Sequence, residues 1–158
     1  MYLNEPLVGP SELEAFAKKC EEKLLHSKKV EVFYPQGTNL ANWNADEIKA
    51  LNAQFLNGLR NAGNVYALFL SEPNSNSNWI VKYVGERKSV GLRQRLTEHL
   101  IKKNHQTGSM LQNIQQAVSE GNRVSVAFIT VQPEALRLFV EENIISKNLE
   151  NLHWNTHG

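Results

Sequence analysis

Two tyrosines, an arginine, a histidine and a glutamate carry most of the chemistry this sequence offers. Tyr66 lies in a run of β-forming residues, Asn64 to Leu70, and Tyr83 lies in a second, Trp79 to Val84. Arg95 and His99 follow four residues apart in a segment of helical period, which places them on one face of a helix. Glu141 and Glu142 sit side by side in the last apolar-periodic segment, about 100° apart around a helix, so only one of them can face Arg95. These are the groups a phosphodiester hydrolase needs. Water must be aligned and deprotonated, the extra negative charge of the transition state must be neutralised, and the leaving oxygen must be stabilised. A guanidinium presents a charged fork to phosphate oxygens, and a carboxylate holds a hard divalent cation. Each residue taken alone also has an ordinary reading: tyrosines fill sheets, and surface arginines and histidines are solvated.

Charge distribution bears on the same stretch. From Ile80 to Lys103 seven basic residues, Lys82, Arg87, Lys88, Arg93, Arg95, Lys102 and Lys103, stand against Glu86 and Glu98, a local +5 within a chain of net charge +1. A basic stripe on a nearly neutral protein suits a phosphate or nucleic-acid contact confined to one face. By itself such a stripe is ordinarily a solvated, salt-bridged helix face.

The elements that must position these residues follow from periodicity and turn chemistry. Ser11-Glu12-Leu13-Glu14 reads as a capping box opening a helix from about Glu12 to His26. Val30 to Tyr34 reads as a short strand or extended arm stopped by Pro35-Gln36-Gly37. Asn44 caps a second helix whose apolar face, Ile48, Leu51, Phe55, Leu56 and Leu59, runs toward a stop at Gly63. The two tyrosine strands form a hairpin across the polar Ser71 to Asn78 segment. Helices over Val90 to Lys103 and Ser109 to Glu120, a strand over Arg123 to Val131 and a helix opened by Pro133 complete the chain. The order from residue 64 is β, β, α, α, β, α, an α+β arrangement in which helices cover at least one face of a small sheet.

Taken together, the Val65-Tyr66 element, the Tyr83-Val84-Gly85 element, Arg95 with His99 one turn later, a glutamate on the last helix and the near-terminal Asn155 resemble the GIY-YIG nuclease family. The resemblance covers about residues 63 to 155. It implies a small three-stranded antiparallel sheet flanked by helices over residues 63–158, and leaves residues 1–62 outside as the mainly helical N-terminal extension read from their pattern. It implies Tyr66 as the preferred general base with Tyr83 beside it, Arg95 on the scissile phosphate and His99 near the attacking or leaving oxygen. The family's spacing from glutamate to a pair of aliphatics selects Glu141 over Glu142 as ligand to Mg²⁺ or Mn²⁺. Asn155 would hydrogen-bond near the site or secure the end of the chain. Lys82, Arg87, Lys88, Arg93, Lys102 and Asn155 are candidate nucleic-acid contacts, with His105 a further one. The sequence departs from the family pattern at Asn64, which replaces a glycine although Gly63 precedes it. About two residues are added near Ser89 to Gly91, Leu152 stands where proline is common, and Asn155 lies about two residues late.

The resemblance therefore implies a Mg²⁺-dependent DNA endonuclease of compact, restriction or mobile-element type, leaving 5′-phosphate and 3′-hydroxyl ends. The alternative is a nucleic-acid-binding or regulatory module that keeps the fold without cleaving. A homodimer would let one compact site per subunit cut both strands. The remaining composition narrows the setting. The single Cys20 can form neither an internal disulfide nor a cysteine-based metal site, and no apolar run approaches the ~20 residues that span a bilayer. Glu5 and Pro6, without a basic-then-apolar order, do not read as a signal peptide. A cytoplasmic protein with DNA and no membrane among its partners is the expectation.

Overall fold

In the computed structural model, residues 10–73, 78–103 and 108–155 are described. His105, a candidate phosphate contact, lies outside them. The elements are α1 (Pro10–His26), β1 (Val30–Val32), α2 (Ala45–Leu51), α3 (Ala53–Asn57), β2 (Val65–Ser71), β3 (Ile80–Glu86), α4 (Leu92–Leu100), α5 (Leu111–Ser119), β4 (Arg123–Ile129) and α6 (Arg137–Lys147). Short 3-10 turns at Ser89–Gly91, Glu134–Leu136 and His153–Asn155 link or follow them. The β, β, α, α, β, α order after residue 64 is present as expected.

The sheet, however, has four antiparallel strands in the order β1-β4-β2-β3, which corrects the three-stranded expectation. The fourth is β1, from the stretch before residue 63, where Val30, Glu31 and Val32 pair with Val126, Ser125 and Val124. The antiparallel β4 otherwise ends the sheet, and the Val30 to Tyr34 run supplies the backbone donors and acceptors that its open side requires.

Alternation along β2 sorts the core into two layers. Tyr66, Leu68 and Leu70 face one cluster with Ile48, Leu56, Leu96, Leu100 and Ile114 from α2 to α5. Val65, Ala67 and Phe69 face the other, with Leu24 of α1 and Val140 and Ile144 of α6. With helices on both faces, every residue of this central strand is buried. No helix among the described residues is long and apolar enough to cross a membrane.

Asn44 caps α2 as expected, its Oδ1 accepting from Glu47 N–H at 3.1 Å. The helix expected to continue from it breaks at Asn52 instead. Asn52 Oδ1 accepts from Phe33 N–H at 2.9 Å, while its Nδ2 donates to Phe33 C=O at 2.9 Å and to Ile48 C=O at 2.8 Å. The buried amide thereby ties the helical pair to the end of β1, at the cost of helix continuity. Asn64, which departs from the family pattern, plays a similar part. Its side chain exchanges hydrogen bonds with Val131 N–H and C=O at 2.8 and 2.9 Å, locking the start of β2 to the end of β4. Gly63 just before it has φ +83, and a Cβ there would lie 2.7 Å from Phe128 Cδ2.

Candidate active site

The outer strand β3 borders a cleft of about 570 Å³. Tyr66 and Tyr83 enter it from the hairpin, Arg95 from α4 and Glu141 from α6. Arg87 and Lys88 stand exposed at its mouth, and Glu86 and Arg137 complete the polar wall. Four cations thus face two carboxylates. Glu142 is exposed and lies outside the cleft, so helix geometry places Glu141 at the site and its neighbour in solvent.

The tyrosine pair is built by strand pairing. Tyr66 lies opposite Gly85, and Tyr83 opposite Leu68 on the same face of the sheet. A Cβ at Gly85 would come within 2.5 Å of both Tyr66 Cζ and Tyr66 Oη, and 2.9 Å from Tyr83 Cε2. The glycine of the Tyr83-Val84-Gly85 motif is therefore the seat on which the Tyr66 ring rests. Burial, and next the neighbouring Tyr83, holds the Tyr66 phenol well above its ordinary value, with Arg95 working against the rise. The Tyr83 phenol is also raised by burial, with Arg95 opposing and Glu141 adding to the rise. Tyr83 is the more accessible of the two: it is partly exposed, whereas Tyr66 is 1% exposed.

His99 is fully buried behind this pair, its ring 5.5 Å from that of Tyr66 and 5.2 Å from that of Tyr83. Its Nδ1 accepts the Met110 backbone N–H at 2.9 Å, so a neutral ring carries its proton on Nε2. That N–H donates to Tyr66 Oη at 2.7 Å. Burial first, then Arg95 and Arg87, drives its pKa down to about 3. His99 consequently works as a fixed donor that aims the Tyr66 hydroxyl, and it does not line the cleft. Orientation of a tyrosine is the part this geometry lets it play.

Arg95 is held from behind. Nη1 donates to Glu98 Oε1 at 3.1 Å, and Nη2 donates to the Gly108 carbonyl. Glu98 is only 4% exposed, and Gln94 Nε2 donates to its second oxygen at 3.4 Å. Two of the guanidinium's five N–H groups are used in this way, leaving donors for the cleft. Glu98 was hidden in the sequence among the charges of a basic helix; the readable signal was its spacing of three from Arg95.

Arg137 was also unrecognised, although its spacing of four from Glu141 puts both on one helix face. Its Nε donates to Glu86 Oε1 at 2.8 Å. Glu134 accepts from the Ser89 N–H at 3.2 Å and from the Ser89 hydroxyl at 3.0 Å, which pins the Ser89–Gly91 turn against the start of α6. Val90 and Gly91 of this turn line the cleft.

The remaining candidates lie elsewhere. Lys82 lines a separate groove on the other side of Tyr83. Arg93 and Lys102 do not line the cleft. Asn155 secures a strand: its Oδ1 accepts Val84 N–H and its Nδ2 donates to Val84 C=O, both at 2.9 Å. Both ends of its amide are occupied by the outer edge of β3, so it serves the end of the chain and the strand bearing Tyr83.

Glu141 is the carboxylate suited to a metal. Burial, then the nearby Glu86 and Glu142 carboxylates, raises its pKa to about 7, opposed by a hydrogen bond from the Glu86 backbone. Among the described residues no group of three or more His, Cys, Asp or Glu converges on one point. A magnesium-like cation does not require one, since it keeps several waters and is commonly held by one or two carboxylates. A half-buried carboxylate with Glu86 beside it on the cleft wall, and the Tyr83 phenol nearby, fits such an ion. Comparison with protein-family models, curated proteins and solved structures returned no match.

Proposed function

We propose that the chain is a compact GIY-YIG-type endonuclease that hydrolyses DNA phosphodiester bonds in the presence of Mg²⁺ or Mn²⁺, leaving 5′-phosphate and 3′-hydroxyl ends. The observation that carries this reading is convergence: Tyr66, Tyr83, Arg95 and Glu141, singled out by spacing and resemblance, come from four separate elements to line one basic cleft. An unrelated α+β protein would have no reason to bring them together.

In this reading the scissile phosphate lies against Arg95, whose guanidinium is already oriented by Glu98 and Gly108 C=O and gives up little freedom on binding. Arg87 and Lys88 draw the flanking backbone into the mouth. The Tyr83 hydroxyl, the more accessible of the pair, aligns the attacking water. Tyr66 is kept in place by the His99 N–H and supports Tyr83 from the buried side. Both phenols hold their protons in the free protein, so the water's proton needs an additional acceptor or electrostatic help. A divalent cation held by Glu141 would supply that help by lowering the pKa of bound water and offsetting charge on the leaving oxygen.

The test is incubation of purified protein with supercoiled plasmid and with single-stranded DNA, in Mg²⁺, Mn²⁺ or EDTA. Metal-dependent cleavage that falls by about two orders of magnitude or more in both Arg95→Ala and Glu141→Ala is expected. Binding without cleavage in either metal would replace the enzyme by a DNA-binding module.

A further inference from the structure

On the far side of Tyr83 from the cleft lies a second groove of about 340 Å³, at the small end of the range for ligand sites. Leu70 and Ile80 form an apolar floor, and Trp154 supplies an aromatic wall. Trp154 is steadied from both sides, by packing against the core and by the doubly bonded Asn155 next to it. Three carboxamides, Asn113, Gln116 and Asn122, line the rim. Each offers donors and an acceptor in one plane. Gln116 Nε2 spends one donor on Glu120 at 3.2 Å.

The charges select a kind of ligand. Glu72 and Glu120 line the same groove and disfavour a free anion there, while accepting hydrogen bonds from amino groups. Lys82 is the single cation among the lining residues and follows Ile80 along β3 toward Tyr83. A neutral, planar group bearing both donors and acceptors, attached to a phosphate chain that passes Lys82, matches this arrangement.

We infer that this groove is a nucleobase subsite, in which one base of the substrate strand stacks on Trp154 and presents its edge to Asn113 and Gln116. Asparagine and glutamine are the side chains that read an adenine edge in two hydrogen bonds, and aromatic rings stack bases of any identity. The inference rests on the nuclease reading above, because it takes the neighbouring cleft as the place of the scissile phosphate. Four strand positions separate Lys82 from Glu86, about 13 Å at ~3.3 Å per residue, or about four stacked nucleotides at ~3.4 Å each. The base read here therefore lies a few nucleotides from the cut.

The experiment uses the full chain carrying Glu141→Ala, so that oligonucleotides survive, and follows tryptophan fluorescence on titration with single-stranded hexamers. The probes are hexamers of deoxyadenosine, deoxycytidine or thymidine, and an abasic hexamer with the same phosphates. Base-bearing strands should bind about tenfold or more tighter than the abasic strand, with deoxyadenosine favoured. Adding Asn113→Ala and Gln116→Ala, both at exposed helix positions, should remove the preference among bases while leaving the abasic affinity unchanged. Equal affinity for base-bearing and abasic strands, a preference that survives the double substitution, or no binding to any hexamer would overturn the subsite. Cleavage by the unsubstituted chain is read separately. Its failure with the base preference intact overturns only the nuclease reading.

Discussion

Replacing Gly85 by alanine is the most direct perturbation of the tyrosine pair. The new methyl would start 2.5 Å from Tyr66 Cζ and Oη, and ordinary contact begins at 3.4 Å, so the two must separate by about 0.9 Å. Neither side can yield freely. Gly85 is paired with Tyr66 across β2 and β3, and the Tyr66 hydroxyl already rests 2.7 Å from His99 Nε2, so movement off the sheet drives it into that ring. Overpacking of this kind costs about 1–3 kcal/mol, and disturbing the buried His99 hydrogen bond adds about 1–3 kcal/mol. A loss of about 2–6 kcal/mol in urea denaturation is expected for Gly85→Ala, together with loss of cleavage. Because the Tyr66 hydroxyl supplies part of the clash, Gly85→Ala with Tyr66→Phe should be less destabilised than the sum of the single variants. A Gly85→Ala protein within about 1 kcal/mol of the parent, with strictly additive behaviour in the double variant, would refute the packing reasoning.

Three further perturbations test other parts of the site. His99 is depressed to about 3 from an ordinary value near 6.5, so between those limits the unfolded chain binds the extra proton. Stability should therefore fall as pH drops from about 6.5 toward 3, by up to ~1.4 kcal/mol per pH unit from this group, and denaturation of His99→Gln should lack that contribution. Glu98→Gln keeps the size of the side chain and removes its charge; it should weaken the hold on Arg95, costing about 1–3 kcal/mol and slowing cleavage about tenfold or more, and unchanged cleavage would remove Glu98 as a positioning residue. Asn155→Ala breaks two hydrogen bonds to Val84 and should lower stability by about 1–3 kcal/mol, read by thermal melting, while leaving the metal dependence of cleavage intact.

The parts of this protein that were legible in sequence are those governed by local rules. The two tyrosine strands announce themselves through β-branched and aromatic residues around a polar turn, and Arg95 and His99 through a helical spacing that holds in α4. The 100° between Glu141 and Glu142 around a helix meant that only one could face Arg95, and the spacing of the resemblance selected Glu141. What was not legible depends on distant contacts. The Val30 to Tyr34 run was readable as a short strand, but its place in the sheet was not, because only pairing with the distant β4 gives it one. Asn52 within a helical apolar pattern carries no local sign that Phe33 will claim its amide. Glu98 reads as one more solvated charge until Gln94, Arg95 and the surrounding packing bury it.

The three asparagines that grip backbone have a consequence for the company this sheet keeps. Asn52, Asn64 and Asn155 each occupy both the N–H and the C=O of one residue, at Phe33, Val131 and Val84. Val84 lies on β3, an edge strand, and an uncovered edge is a template for strand addition by another chain. The Asn155 amide acts there as a stopper, a side-chain imitation of the next strand that is too short to be extended. Its loss would leave β3 open to self-association beside the very cleft proposed to admit DNA.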